Sequence, residues 1–473
     1  MKHYSKRYIW YLMTFSIFWS VVIATTSFSS IFVGDSEEVV LEAIYFFYLL
    51  GIYLFVQIIS IVYIILKWRY TTYTLTEDAI KLNKGIIFKQ KKTLPYNKIH
   101  AIDYKQNILE KIFGIKKLSI DSGATMTADL AEIVIIEKNK IVDNLIKEVR
   151  LKMGSDVDKD EDDNFYVFSL KYKFIDSLLK TLIVSIFAAI GTGILLSFVY
   201  YYGEKQSKDQ ILSFIIIVLI VITILFIGHF LSTVIRYYNY KVIIQNKELI
   251  ISYGIFKKIN NTLPLNKIKA IKIEEGLIQR IFKVCSIKLE LVGFGNYSEN
   301  VVSNFYIPFC FKKDVSNYIN ILNLDFKYYE ATKKSPRRGF RYFYSLPIMI
   351  FSLVYAAFFP FLIVFSNALP FYLGGYILIL IIIFLASLLN YKNAGLYFDD
   401  KQVIIYNGSF IKRSTIILNE NITGIEKVNT YCRSKKEIAS FHIHYYNNAM
   451  KNVEVANLLD KNIFDDLIKI IRY

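Results

Sequence analysis

One stretch of this chain is written twice, and an internal repeat constrains the architecture more than any composition does. Gly85 to Ile120 reads GIIFKQKKTLPYNKIHAIDYKQNILEKIFGIKKLSI, and Gly254 to Leu289 reads GIFKKINNTLPLNKIKAIKIEEGLIQRIFKVCSIKL. Aligned without a gap, Thr93-Leu94-Pro95 falls on Thr262-Leu263-Pro264, Asn97-Lys98-Ile99 on Asn266-Lys267-Ile268, and Ile112-Phe113 on Ile281-Phe282. A third, worn copy keeps Gly408 to Arg413 and Ile422 to Ile425 but lacks the Leu-Pro pair and its lysine. Any function vested in those residues is expected to be absent from it.

The chain is 54% hydrophobic with a mean hydropathy of +0.36, too apolar for an ordinary soluble enzyme. Uncharged runs at Tyr8–Phe32, Ala43–Leu66, Thr181–Tyr200, Ile211–Val234, Tyr344–Phe365 and Phe371–Leu389 approach the ~20 residues that a helix needs to cross the hydrocarbon core. They fall in three pairs, each preceding one copy of the repeat. The expected order is a hairpin at 1–66 and a domain at 67–153, an acidic linker at 154–173, a hairpin at 174–235 and a domain at 236–330, then a hairpin at 331–390 and a degenerate domain at 391–473. The basic, apolar start resembles a secretory signal, but its length and aromatic content fit a retained helix better.

Within a copy, Tyr70–Leu75, Ala79–Leu82, Lys98–Tyr104, Lys117–Asp121 and Ala131–Glu137 read as strands. Pro95 has no amide hydrogen and belongs at a strand end. Asn107–Ile115 carries Ile108, Leu109, Ile112 and Phe113 at helical spacing. So short a helix must bury that face, either by plugging its own domain, the weightier reading, or against lipid or the spans. Each copy closes on an amphipathic helix: Ile141, Val142, Leu145, Ile146 and Val149 in the first, Val315, Tyr318, Ile319 and Leu322 in the second, Ile463, Phe464, Leu467, Ile468 and Ile471 in the third. Strands followed by one helix make a small α+β domain with a single core.

Basic residues give the orientation. Lys2, Lys6 and Arg7 precede the first span, Lys67 and Arg69 follow the second, and Lys333, Lys334, Arg337, Arg338 and Arg341 crowd the entry to the fifth. The first hairpin turn instead carries Asp35, Glu37, Glu38 and Glu42. Both termini and all three domains are therefore expected in the cytoplasm of a multi-pass membrane protein. A formal charge of +17 then lies where anionic headgroups are. The basic residues form no nucleic-acid motif, so no nucleic-acid partner is expected. Cys285, Cys310 and Cys432 lack paired spacing and read as reduced thiols.

The turn glycine, Leu-Pro, basic residue with Ile, and amphipathic Leu-x-x-Ile-Phe-Gly segment are carried by Gly85, Leu94-Pro95, Lys98-Ile99, Ala101-Ile102, Ile108-Leu109 and Ile112 to Ile115. This pattern resembles the bacterial pleckstrin-homology-like domain, and three such domains after helix pairs resemble the YdbT-type multi-pass membrane-protein family of Gram-positive bacteria. Copy two departs from the pattern at Lys283. The resemblance implies bent antiparallel sheets closed by a helix, a cell-membrane location, a smaller two-helix partner bearing one such domain, and a loose link to tolerance of membrane-active peptides. It implies no established reaction.

No catalytic constellation emerges, and no cofactor motif. His442 and His444 share a strand face without a third ligand. Gly154 to Asn164 has calcium-like Asp156, Asp158 and Asp160, but Glu161 and Val167 stand where glycine and glutamate are needed, leaving a solvated acidic linker. The expected function is a non-enzymatic membrane scaffold whose domains hold a partner protein, anionic lipid headgroups, or both. The binding candidates are Lys89, Lys91, Lys92 and Lys98 in copy one, Lys257, Lys258, Lys267 and Lys269 in copy two, and Lys412 and Arg413 in copy three. An ordinary positive-inside face is the plainer account of these lysines. The alternative is a six-helix transporter or exporter of lipid or peptide, for which His229, Pro347 and Pro360 are the only hints.

Overall fold

The computed structural model describes residues 2–14, 16–17, 39–99, 101–121, 133–153, 164–167, 237–245, 247–255, 258–291, 305–357, 369–447 and 450–471, with isolated positions between 175 and 235. Its contacts divide the chain into two compact units, and the boundary cuts through the second copy. Residues 1–125, 129–163 and 248–264 form the first unit; residues 126–128, 164–247 and 265–473 form the second.

The first copy contributes β1 (Lys2–His3), the long helix α1 (Val39–Arg69), β2 (Thr72–Leu75), β3 (Ala79–Lys84), β4 (Gln90–Pro95), β5 (Ala101–Gln106), the short helix α2 (Ile108–Ile112), β6 (Ile115–Asp121), β7 (Ile133–Lys138) and α3 (Asn139–Lys152). The second contributes β8 (Asn164–Val167), β9 (Lys241–Gln245), β10 (Glu248–Tyr253), β11 (Lys258–Pro264), β12 (Ile268–Gly276), α4 (Leu277–Ile281), β13 (Val284–Leu291), β14 (Phe305–Phe311) and α5 (Val315–Ile321). The third contributes β15 (Lys333–Lys334), α6 (Phe340–Ala357), α7 (Leu369–Asn393), β16 (Gly395–Phe398), β17 (Gln402–Asn407), β18 (Ile411–Leu418), β19 (Ile422–Val428), α8 (Tyr431–Ser434), β20 (Ile438–Asn447), β21 (Met450–Asp460) and α9 (Ile463–Ile471).

In the first unit β1-β2-β3-β4 is one antiparallel sheet, and β5, β6 and β7 lie in another. Period-2 alternation gives each sheet one apolar face. Tyr73, Ile80, Leu82 and Leu94 from the first meet Leu118, Ile120, Ile133 and Ile135 from the second, and Val142, Leu145 and Val149 of α3 complete the core. The third copy repeats the plan, with Leu396, Val403, Ile405 and Ile417 packed on Phe441, Ile443, Tyr445, Ala456 and Leu467.

The expected strands and closing helices are present, with boundaries shifted by one to three residues. Pro95 ends β4, and a 3-10 turn at Tyr96–Lys98 displaces the following strand to Ala101. Sequence reasoning missed β1 and β15, two basic residues each with no apolar pattern, and β8, which it read as part of the acidic linker 154–173 but which pairs with β9. β1 precedes the first expected hairpin and β15 the helix pair α6 and α7, and each returns to the sheet that follows: Lys2 pairs with Tyr73, and Lys333 with Leu396.

The short helices do not plug their own domains. Ile112 is 72% exposed and Ile281 76%, whereas the buried residue of α2 is Glu110, whose carboxylate accepts the amide hydrogen of Asn107 at 2.8 Å. That capping bond turns the chain sharply and leaves Ile112 projecting outward with Ile108 and Leu109 part exposed, while Phe113 of the same face packs against the core.

Among the described residues three helical stretches are long and apolar enough to cross a bilayer: Leu50–Arg69, Arg337–Ala357 and Leu373–Asn393. The other three expected spans lie largely outside the described residues, although residues 6–14 are helical. Pro347 lies inside α6 and Pro370 in the first turn of α7, where its missing donor costs nothing. Pro360 and His229 fall outside the described residues.

The sheets do not stop at the copies. In the first unit β5 pairs with β11 of the next copy, aligning Tyr104 with Asn260, and β11 carries on to β10. In the second unit β12 pairs with β18, aligning Ile273 with Ser414, within the sheet β14-β13-β12-β18-β17-β16-β15. Tyr104 and Ile273 are repeat equivalents, as are Asn260 and Ser414. Both junctions therefore use the same strands in the same register.

Each junction carries a buried polar tie. Asp103, 3% exposed, accepts the Thr262 amide hydrogen at 2.7 Å, while the Thr262 hydroxyl donates to the Ile102 carbonyl at 3.2 Å. At the second, Lys272 lies 3.0 Å from Glu290 and 2.8 Å from Glu454. Burial works against the Lys272 charge, but the carboxylates of Glu454 and Glu290 outweigh it and hold its pKa above the usual lysine value. Lys272→Ala strands two mostly buried carboxylates and is expected to cost about 3 kcal/mol, read as a lower unfolding temperature of the solubilised protein.

Candidate functional site

One end of the first unit is assembled from the last turn of α1, a candidate membrane helix, and the amino-terminal residues 3–8. Trp68 Nε1 donates to the Tyr4 carbonyl at 2.8 Å, and the His3 ring stacks on Trp68 with centroids 5.2 Å apart. The Tyr4 hydroxyl donates to the Val134 carbonyl, and the Ser5 amide to that of Ile136. The end of α1 is thereby bound to β7 through the residues that precede the helix at 6–14. Burial raises the Tyr4 pKa well beyond the usual phenol value, so this hydroxyl stays a donor at all physiological pH.

Between these elements and the β3–β4 turn lies a cleft of about 550 Å³. Tyr4, Tyr8, Tyr63, Lys67 and Trp68 line one side, Lys84 to Phe88 and Gln90 another, and Lys117, Val134 and Ile136 the base. Three ammonium groups thus border a largely aromatic and aliphatic wall. Lys117 Nζ is 3.3 Å from Glu110 Oε1, and Lys67 Nζ lies 5.9 Å from the Tyr63 ring centre. The Lys84 pKa is lowered, first by burial and then by the positive charges of Lys92 and Lys67. An anion placed among these groups relieves that repulsion.

The turn at the cleft mouth depends on Gly85, whose φ is +117° and whose missing Cβ would sit 1.9 Å from the Phe88 carbonyl oxygen. Only glycine tolerates that geometry. The turn presents Ile87 and Phe88, 84% and 85% exposed, beside the cleft. Large apolar side chains that open to water at the foot of a membrane helix have the acyl-headgroup boundary as their natural medium.

The third copy has a counterpart of about 130 Å³, lined by Tyr328, Glu330, Lys334, Lys392, Asn393, Tyr406 and Lys412 among others. Here the turn is held by the protein itself. Arg280 donates to the Ser409 carbonyl at 2.9 Å and to Asn393 Oδ1 at 3.4 Å, and Asn393 donates to the Gly408 carbonyl at 2.7 Å. With Glu330 in the lining and Arg280 locking the turn, this cleft is smaller and carries its own counter-charge.

The structure distributes the sequence candidates widely. Lys89 is exposed just before β4 and Lys91 exposed within it, Lys92 approaches Lys84, and Lys98 is exposed at the end of the 3-10 turn. Lys257 lies outside the described residues; Lys258 is exposed on β11, and Lys267 and Lys269 are half-buried. Lys412 and Lys334 meet in the third-copy cleft, whereas Arg413 is 3.6 Å from Glu274. Lys333, Arg337 and Arg341 are exposed, and Arg338 is bound to Asp460 and Glu437. His444 Nε2 lies 3.5 Å from Glu426, and no metal-ligating cluster occurs among the described residues.

Sequence reasoning missed Lys84 and Lys117 as site residues and used Lys67 only for topology. They come from three elements far apart in sequence, so adjacency could not group them; only the position of Lys84 next to the turn glycine was a signal.

Comparison with known proteins agrees with this architecture. The Bacterial PH domain profile matches residues 27–150, 174–323 and 351–473. The UPF0699 transmembrane protein YdbT of Bacillus subtilis (strain 168) is 25% identical over 315 residues, 61% of this chain and 63% of that protein. The match thus spans less than two thirds of that relative's length. No solved structure matches the chain.

Gly85→Ala is expected to unseat the β3–β4 turn at a cost of about 1–3 kcal/mol and to withdraw Ile87 and Phe88 from the cleft mouth. An environment-sensitive fluorophore at position 88 in vesicle-reconstituted protein should lose its apolar emission in this variant.

Proposed function

The chain belongs to the bacterial PH domain family, and on that premise we propose that it is a non-enzymatic membrane scaffold whose first domain seats itself on anionic lipid headgroups. The observation that carries this reading is the cleft at the end of α1, where Lys67, Lys84 and Lys117 face an apolar wall capped by Ile87 and Phe88. A phosphate-bearing headgroup fits the ammonium groups, and its acyl chains continue along Tyr63, Ile87 and Phe88. The lysines supply about 1 kcal/mol each near an anionic surface, and the apolar tips add area-dependent binding.

On this reading the domains and both termini lie in the cytoplasm, where basic flanks and anionic lipid coincide. The scaffold presents its remaining domain surfaces to protein partners beneath the bilayer, among them a smaller two-helix protein with one domain of the same kind. Envelope integrity and tolerance of membrane-active peptides are the physiological setting that follows. The third-copy cleft, filled by the protein's own groups, is assigned to structure rather than to lipid.

The reading is tested by purifying the full chain in nanodiscs of mixed phosphatidylglycerol and phosphatidylcholine and measuring retained phosphatidylglycerol by native mass spectrometry. Lys67→Ala, Lys84→Ala and Lys117→Ala together should abolish the enrichment, and Lys89→Ala with Lys91→Ala should not. Equal retention by the triple variant sinks the headgroup site. Because the Lys84 pKa is lowered, its charge is lost as pH rises through that lowered value. Enrichment should therefore decline in the alkaline range sooner in the natural chain than in Lys84→Arg.

A further inference from the structure

The inter-copy junction occurs twice in the chain, and the rule that makes it leaves two strands unmatched. In each junction the β5-type strand of one copy pairs with the β4-type strand of the next: β5 with β11, and β12 with β18. Applied to the three copies described, the rule pairs β5 with β11 and β12 with β18 and assigns no neighbour to β4 or to β19. Among the described residues β4 pairs only with β3, and β19 only with β20, so each is the edge of its sheet.

Burial marks the same vacancy. Ala270 and Ile271 of β12 are fully buried at their junction, while their equivalents Gly424 and Ile425 of β19 are only half-buried. Asn261 and Thr262 of β11 are 5% and 3% exposed, while their equivalents Lys92 and Thr93 of β4 are half-buried and exposed. Both edges keep the geometry of junction strands: β4 ends in the same Leu-Pro as β11, and β19 has the same irregularity near its start as β12, between Ile422 and Gly424.

We propose that β19 of one chain pairs antiparallel with β4 of a second copy of this chain, extending head to tail the ladder that each chain already makes twice internally. The register follows from the two internal junctions. Tyr104 opposite Asn260 and Ile273 opposite Ser414 translate to Lys427 opposite Lys91 of the partner copy, which sets Glu426 against Lys92 and Ile425 against Thr93. Glu426, with a side chain 61% exposed, meets an ammonium group, and the half-buried Ile425 gains a neighbour. The one like-charged pair, Lys91 with Lys427, is eased because Lys427 Nζ already lies 4.8 Å from the Phe464 ring centre.

Lysines on an edge strand commonly discourage pairing. Here β11 and β18 carry Lys258, Lys412 and Arg413 and are paired all the same. The contact is heterologous, so it builds a ring or an open row of chains rather than a two-fold dimer.

The test is cysteine crosslinking in native membranes, with the exposed Cys432 replaced by serine. A full chain carrying Thr93→Cys is co-expressed with a full chain carrying Ile425→Cys, and mild oxidation should give a covalent dimer of one of each. A shifted pair, Thr93→Cys with Val428→Cys, should give little. No dimer overturns the proposal, and so does a link that forms only within one chain when both cysteines are placed in it.

A charge exchange provides the second arm. Lys92→Glu or Glu426→Lys alone should weaken self-association of the solubilised chain about fivefold, and the two together should restore it. Loss in both singles without restoration in the double overturns the proposed register. The Glu426→Lys arm is independent of the lipid cleft, because Glu426 does not line it, whereas Lys92 acts on Lys84 of that cleft through its charge.

Discussion

Backbone pairing between neighbouring copies is the constraint on which the rest of this molecule depends. A strand edge in a small sandwich leaves a row of amide hydrogens and carbonyls that must find partners or water. This chain satisfies most of them by giving the edge of one copy to the edge of the next. The copies are therefore not beads on a string. Two strands of the second copy cluster with the first unit, and the third copy's β18 buries against the second copy's β12. The polar ties, Asp103 to Thr262 and Lys272 among its glutamates, sit at these seams. A buried charge is costly unless its partners are in place, so such groups favour one register over its slips.

The second organising feature is the strand that precedes each hairpin. Because β1 and β15 return to sheets whose other strands lie beyond long apolar segments, the first and third copies each hold the chain on both sides of those segments. That stitching places Trp68, Tyr4 and Lys67 side by side and makes the lysine cleft possible. The same arrangement in the third copy is filled by Arg280, Asn393 and Glu330. The repeats have thus kept one scaffold while changing what occupies its membrane-facing end.

The short amphipathic helices show how a correct pattern led to the wrong partner. Helical spacing of Ile108, Leu109 and Ile112 identified an apolar face, and the domain core was its expected destination. The buried Glu110 cap reverses that outcome by fixing the turn with the charged residue inward. One capping bond overrode a hydrophobic pattern, because five residues are too few for the face to choose its own environment.

The sequence by itself determined the repeat, the membrane runs, the strand content and the closing helices. These rest on periodicities of two and 3.6 residues that the backbone imposes locally. It also made the turn glycines and Pro95 legible, because their geometry excludes most other residues. Only the tertiary structure decided which strands pair across copies, that Lys2–His3 is a strand at all, and that Lys67, Lys84 and Lys117 share a cleft while Lys89 and Lys91 do not. Those outcomes depend on contacts between residues tens to more than a hundred positions apart. Such contacts leave no local pattern, since a lysine beside a cleft and a lysine on open surface are the same letter until the chain has folded.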